Sequence, residues 1–429
     1  MSTDSKGGNY KSPYRNLLKC PFTPTVEIEA KKRQIVEVFH ALKVEVQEID
    51  ATIGPSVSLF EVKPCTDSSY KKLRYKEDAI AASLGYPNLR VMIPMPGKKS
   101  IGIEIPNEKA ATVPLGTLLG SKDFQETAMQ LPCAIGKSLQ NEIFMFDLAE
   151  APQLLVAGAS GQGKTTCLHT IISSLLYKKT PSELQLVLMD CKKHGFDIYA
   201  PLADSYLAQL PGNAHAIVSD LGQVLSVMTS LKSMLFRRYE KLKEASVRNI
   251  TEYNRKFPEQ PMPYIVTVID ECSDLLQTLG EKFKACLKDM VTKGRAAGMH
   301  AVVCIQSPTS RPISSWLRLN FPARIAFKVP SRQDSCNIID QEGAECLIGR
   351  GDLLINMEAG CTRVQVAFID EEDIRGVIEL KHWLSTEIAN NKNKEQLLDF
   401  YNFIIGMMRH GITFREAVPD DYPGFPQDL

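Results

Sequence analysis

Apolar residues recur at helical spacing at Ile28, Ile35, Phe39 and Leu42, which predicts an amphipathic helix over Val26 to Leu42. The pattern then shortens to strand length. Val44 to Lys63 is interrupted by Gly54-Pro55, a bend signal, and Ser56 to Val62 reads as the returning strand. A helix near Ser69 to Leu84 and strands at Arg90 to Ile93 and Ile101 to Ile105 complete a small α+β unit, whose boundary falls between Leu119 and Gly136.

Beyond that boundary the chain alternates short apolar runs with helical segments. The runs at Ile143 to Phe146, Leu154 to Ala157, Leu184 to Met189, Ile265 to Ile269, Ala301 to Ile305 and Ile325 to Val329 have the length of buried strands. Strands alternating with helices predict an α/β fold whose largely parallel sheet is covered on both faces. A basic amphipathic helix spans about Leu221 to Lys243, and another runs from Ile374 to about Asn390. A polar NNKNKE linker then leads to a last helix, Gln396 to Arg409, and a tail from Gly411 that is dense in helix breakers. The resulting division is a flexible tail over 1–22, an α+β domain over 23–130, a larger α/β domain over 131–376, and C-terminal helices with an irregular tail over 377–429.

Composition narrows the class. With 44% hydrophobic and 23% charged residues the chain is ordinary globular protein, which excludes wholesale disorder and low complexity. No stretch reaches the roughly 18 apolar residues of a membrane helix, and the N-terminus lacks a signal-peptide core, so a cytoplasmic location is expected, with any membrane contact made through a partner. Eleven scattered cysteines without a CxxC pair suggest neither a disulfide framework nor a zinc site, and fit a reducing compartment. Fifty basic residues balance fifty acidic ones, yet the balance is not local. Residues 290–333 contain no acid but carry Lys293, Arg295, Arg311, Arg318, Arg324, Lys328 and Arg332. Such a stretch is suited to a phosphate polymer or to arginine fingers, or else forms a solvated face paired with acids elsewhere.

The candidate chemistry starts at Gly158-Ala159-Ser160-Gly161-Gln162-Gly163-Lys164-Thr165, a GxxxxGK[ST] phosphate loop between a strand and a helix, with Thr166 following. Its glycines let successive backbone N–H groups converge on a β-phosphate, and the helix N-terminus adds its positive dipole end. Lys164 neutralises β/γ oxygens, and the Thr165 hydroxyl ligates magnesium. ATP and Mg2+ are therefore the expected ligands.

The apolar strand ending at Asp270-Glu271 supplies the second half of such a site. Asp270 is the candidate magnesium partner and Glu271 the base that orients and deprotonates an attacking water. A kinase needs no such base, so the acidic pair favours hydrolysis. Gln306, closing the strand Ala301 to Ile305, is placed to sense the γ-phosphate or place the water, or else simply to cap a loop.

These residues resemble a known family. Gln153 to Thr165, Ser246 to Asn254, Tyr264 to Glu271, Gly294 to His300, Arg324 to Val329 and Asp334 to Asp352 are similar, in order and spacing, to the motor of the FtsK/SpoIIIE DNA translocases over about residues 135–375. Gly54 to Val62 and Ile101 to Pro106 are similar to that family's accessory α domain. The resemblance implies a RecA-like P-loop NTPase that forms a homohexameric ring, with double-stranded DNA in the pore and ATP between subunits. It implies catalytic roles for Lys164, Asp270, Glu271 and the sensor Gln306, with Arg295 as the finger acting on a neighbour. It also implies pore loops after Gly280 and Gln306 carrying Lys282, Lys284, Thr309, Ser310 and Arg311.

The departures from the family are specific. Membrane helices and a winged-helix module of the division proteins find no counterpart in the pattern, Ser307 stands where an arginine is usual, and Cys191 replaces a proline. They favour a motor recruited by a membrane-anchored or mobile-element partner over chromosome segregation. The alternative is a coupling ATPase that delivers a DNA–protein or protein substrate to a secretion channel.

Overall fold

The computed structural model describes residues 25–390 except 74, 87–88, 191–194, 211–215, 307–315, 317 and 359. The expected helix Gln396 to Arg409 and the two tails lie outside the described residues.

The first unit begins with helix α1 (Thr25–Ala41) and continues with strands β1 (Val46–Ile53) and β2 (Val57–Pro64), helices α2 (Ser68–Leu73) and α3 (Glu77–Ser83), and strands β3 (Arg90–Met92) and β4 (Ile101–Pro106). The strands form an antiparallel sheet in the order β1-β2-β4-β3. The apolar stripe of α1 explains its packing: Ile35 and Phe39 are fully buried with Phe60, Val62, Ile80, Ile101 and Ile103. The single helix expected from Ser69 to Leu84 is two helices, with Tyr75 between them at a left-handed φ of 64°, outside the right-handed helical region.

Helices α4 (Leu115–Leu119) and α5 (Lys122–Gln125) lead into the second unit. Its strands are β5 (Pro132–Ser138), β6 (Ile143–Asp147), β7 (Gln153–Ala157), β8 (Leu184–Met189), β9 (Ile217–Val218), β10 (Tyr264–Ile269), β11 (Met299–Ile305), β12 (Ala323–Phe327), β13 (Asp352–Met357) and β14 (Gly360–Val366). They make one ten-stranded sheet in the order β6-β5-β14-β13-β12-β7-β11-β10-β8-β9. The half from β12 to β9 is parallel and the half from β13 to β6 antiparallel. Helices α6 (Lys164–Lys178) and α11 (Glu371–Asn390) contribute apolar residues to one face, with Leu168, Ile171 and Ile378 packed on Val156, Val268 and Cys304. On the other face, α7 (Leu221–Glu244), which the short α8 (Ile250–Lys256) follows, α9 (Cys272–Lys293) and α10 (Arg332–Ile339) bury Leu231, Phe283 and Ile339 against Leu155, Ile269 and Val303. Burial on both faces is why these central strands carry apolar residues on both faces rather than at alternate positions alone.

The units meet through charge as well as packing. Glu104 of β4 accepts from Arg90 at 3.0 Å and from Arg363 of β14, whose guanidinium also grips Asp352 of β13 through Nε (2.9 Å) and Nη2 (2.5 Å). Burial alone lowers the Arg363 pKa, and the Asp352 and Glu104 carboxylates more than reverse that, so the group stays charged inside the protein. Asn141 donates to the Ile53 carbonyl (2.6 Å), and Arg332 pairs with Asp78 of α3 (2.6 Å).

The acid-free stretch does not form an isolated basic face. Lys293 pairs with Asp289, Arg295 with Glu150, Arg318 and Arg324 with Asp340, and Arg332 with Asp78 and Glu342. All these acids lie outside the stretch, so its local excess of charge is largely neutralised in three dimensions.

Candidate nucleotide site

Strand β7 ends at Ala157 and the chain turns through Gly158 to Gly163 into α6. The turn needs glycine for two physical reasons. Gly158, Gly161 and Gly163 have φ of 151°, 73° and 114°, a region side chains rarely adopt. A Cβ on Gly158 would also sit 2.6 Å from Phe327 Cβ, and one on Gly163 would sit 3.0 Å from Gly351 Cα. The loop is fastened on both sides, since Ala159 N–H donates to the Lys328 carbonyl (2.9 Å) and Gly351 N–H to the Gln162 carbonyl (2.9 Å). Lys164 is 7% exposed, and its ammonium donates to the carbonyls of Gly158 (2.8 Å) and Ala159 (3.0 Å).

Two strands away, Asp270 follows the end of β10 and is 7% exposed, and its Oδ1 accepts from Glu271 N–H (3.0 Å). Glu271 caps α9 with a left-handed φ of 53° and ψ of 47°. For a non-glycine residue that is a strained conformation, worth about 1–3 kcal/mol, of the kind retained at functional sites. Strand β11 lies between β7 and β10, so the phosphate loop and the acidic pair open onto one cleft at the C-terminal end of the parallel strands. Gln306 follows the last residue of β11 and occupies the same end. Burial, and secondarily the hydrogen-bonded Asp270 carboxylate, raises the Cys304 thiol pKa well above its usual value, so the cleft floor is a neutral thiol.

Asp190 is a site residue that sequence reasoning left without a role. It follows β8, is 5% exposed, and its backbone continues the register that pairs Met189 with Ile269, which puts it beside Asp270. Its Oδ2 accepts from Gly195 N–H at 3.0 Å. The signal was available in a carboxylate closing the apolar run Leu184 to Met189.

Oxygen donors from Thr165, Asp270 and Asp190 fit magnesium, a hard cation. Among the described residues no cluster of three or more His, Cys, Asp or Glu side chains could cage a metal. The fit is therefore to an ion held with waters and substrate phosphates, the usual mode for magnesium.

Arg295 is not in this cleft. It lies before β11, at the opposite end of the sheet, where Nη2 meets Glu150 at 2.6 Å. The seven residues of β11 separate the two ends by roughly 20 Å. The loop expected after Gly280 is instead a one-residue break inside α9, with φ 58° and ψ −142° at Gly280, because a glycine can reverse locally while the apolar face of the helix stays buried. Lys282 is exposed, and Lys284 pairs with Glu281 (3.1 Å) on that helix. Thr309, Ser310 and Arg311 lie outside the described residues.

A phosphate loop, an acid-tipped second strand and one strand between them define a RecA-like P-loop ATPase. The sequence matches the FtsK/SpoIIIE family over residues 114–310 and the FtsK alpha domain over residues 19–107. The chain belongs to the FtsK/SpoIIIE family. The DNA translocase FtsK of Chlorobaculum tepidum is 34% identical over 380 residues, spanning 86% of this chain and 47% of that protein. The DNA translocase FtsK of Caldanaerobacter subterraneus is 34% identical over 400 residues, spanning 92% and 55%. The chain thus spans about half the length of the curated relatives it matches. In fold it is similar to the pCW3 conjugation coupling protein TcpA, with a TM-score of 0.56 and 17% identity over 82% of this chain and 99% of that one. It is also similar to the cytoplasmic domain of the Thermomonospora curvata type VII secretion ATPase EccC, with a TM-score of 0.52 and 21% identity over 63% and 34%.

Proposed function

We propose that the chain is the motor of an ATP-driven double-stranded DNA translocase, with ATP hydrolysed at the interfaces of a homohexameric ring. The observation that carries the reading is the convergence of Lys164, Asp270 and Glu271 on one cleft, in a chain related over most of its length to DNA translocases.

Backbone N–H groups of residues 160–166 hold the β-phosphate at the N-terminus of α6. Lys164 leaves the loop carbonyls to neutralise β/γ oxygens. Thr165 and Asp270 would hold magnesium, which supplies further neutralisation of the charge developing on the phosphates. Glu271 takes the proton of the attacking water, and Gln306 orients that water. Arg295 lies too far from its own chain's cleft to serve it, so its charge is spent on a neighbour's γ-phosphate, and the complete site needs two subunits. DNA affinity then rises with ring assembly and falls steeply with salt. A membrane-anchored or mobile-element partner recruits the ring.

The test is the ATPase rate with and without long duplex DNA, paired with displacement of a triplex-forming strand. Duplex-stimulated turnover and strand displacement are expected from the wild type. Lys164→Ala loses nucleotide binding, while Glu271→Gln keeps binding and loses about 10²–10⁴-fold in turnover. A wild type with neither activity, and variants that behave like it, would falsify the proposal. Turnover without DNA stimulation, with co-purification of a membrane channel, would reassign the motor to a coupling role.

A further inference from the structure

The loop Gly349-Arg350-Gly351 is the second wall of the phosphate loop, and its middle residue has no role in the reading above. All three residues have positive φ, at 93°, 53° and 91°. The glycines accept that conformation, and an arginine between them resists it. The strain is held in place by a network of bonds. Gly351 N–H donates to the Gln162 carbonyl, Gln365 Nε2 to the Arg350 carbonyl (3.0 Å), Asp352 N–H to the Gly349 carbonyl (3.2 Å), and Ile348 N–H to Asp352 Oδ2 (2.8 Å). A Cβ on Gly349 would fall 2.3 Å from Gln162 Oε1, so the loop lies directly against the lip of the phosphate cradle. Arg350 is exposed and makes no ion pair or side-chain hydrogen bond among the described residues.

The sheet order says which end of a nucleotide this loop can meet. The γ-phosphate must face Asp270 and Glu271, which follow β10, on the β11 side of the phosphate loop. Gly349 to Gly351 precede β13, on the β12 side. A nucleotide whose γ end is turned toward β10 therefore carries its adenosine toward Arg350.

We propose that Arg350 is a nucleotide-contact residue that holds the adenosine end of the ligand, its guanidinium plane lying on the base. This deepens the ATPase reading and rests on it. A delocalised planar cation suits a π face, and it is cheaply desolvated there. The contact is the same in ATP and ADP, so it sets affinity for both.

The experiment is calorimetric titration of the full chain, with magnesium, using ADP, ATPγS and inorganic pyrophosphate. Arg350→Ala and Arg350→Gly are both expected to weaken ADP and ATPγS by about tenfold and to leave pyrophosphate unchanged. Arg350→Gly relaxes the backbone while removing the guanidinium, so it separates contact from strain. The proposal is overturned if ADP binding is unchanged in both variants, or if only Arg350→Ala is affected. It is equally overturned if ATPγS alone is weakened, or if pyrophosphate weakens as much as ADP. A wild type that binds none of the three, like Lys164→Ala, would instead sink the ATPase reading beneath it.

Discussion

Among the described residues, replacing Arg363 by methionine removes the only cation in contact with Asp352 and one of two in contact with Glu104. The side chains of Arg363, Glu104 and Asp352 are 3%, 1% and 1% exposed, so water cannot take the guanidinium's place. Glu104 keeps Arg90 at 3.0 Å, but among the described residues the Asp352 carboxylate keeps only the Ile348 N–H at 2.8 Å. Breaking a buried pair from one side costs about 3–5 kcal/mol. Glu104→Gln keeps the shape and leaves Arg363 bidentate on Asp352, so its cost is nearer 1–2 kcal/mol. Arg363→Met should therefore lower the melting temperature by about 10 °C and Glu104→Gln by about a third of that. Urea titration followed by circular dichroism gives the free energies directly. The Arg363 variant should also bind ADP more weakly, because Asp352 fastens the loop that lies on Gln162. A loss below about 1 kcal/mol for Arg363→Met, or a larger loss for Glu104→Gln, would refute this account of the contact between the units.

Three further outcomes are expected. Glu271→Gly relieves the left-handed strain at the head of α9, so it should be more stable than Glu271→Ala by about 1 kcal/mol in urea unfolding, though equally inactive. If Arg295 serves a neighbour, mixing inactive Lys164→Ala with inactive Arg295→Ala protein regains part of the ATPase rate through sites that combine two intact halves; a mixture as inactive as its components contradicts action in trans. His300 is buried beside Tyr264, and burial lowers its pKa from 6.5 to about 4. The unfolded chain then holds the extra proton between those values, so stability from this group is full above pH 6.5 and lost as pH falls toward 4, by roughly 3 kcal/mol. Unfolding free energies at pH 7, 5.5 and 4 check this, and His300→Phe should flatten the slope by one proton.

What could be read from the sequence follows from burial. The strands β7, β8, β10 and β11 are buried on both faces, and their largely apolar runs mark them at once. Strands β13 and β14 escape that pattern because their buried positions include Asp352 and Arg363, whose charges are matched only across the sheet and to Glu104 of the first unit. Strand β5 contains Pro132 and a bulge near Gly136, where a Cβ would collide with the Gln365 carbonyl, and both features read locally as turn signals. At the site, the phosphate loop and the Asp-Glu pair are contiguous motifs and were legible. Asp190 and the Gly349 to Gly351 wall were not assigned, since their meaning lies in a register with β10 and in contact with a loop nearly 190 residues away.

Lys164 donates two ammonium protons to the loop that carries it. A phosphate entering the cradle competes with the Gly158 and Ala159 carbonyls for one ammonium, and a departing product returns that ammonium to acceptors already in place. Charge that would otherwise be stranded in a buried pocket is thus never unpaired during exchange. The lysine that tightens binding of a phosphate thus also lowers the barrier to letting it go.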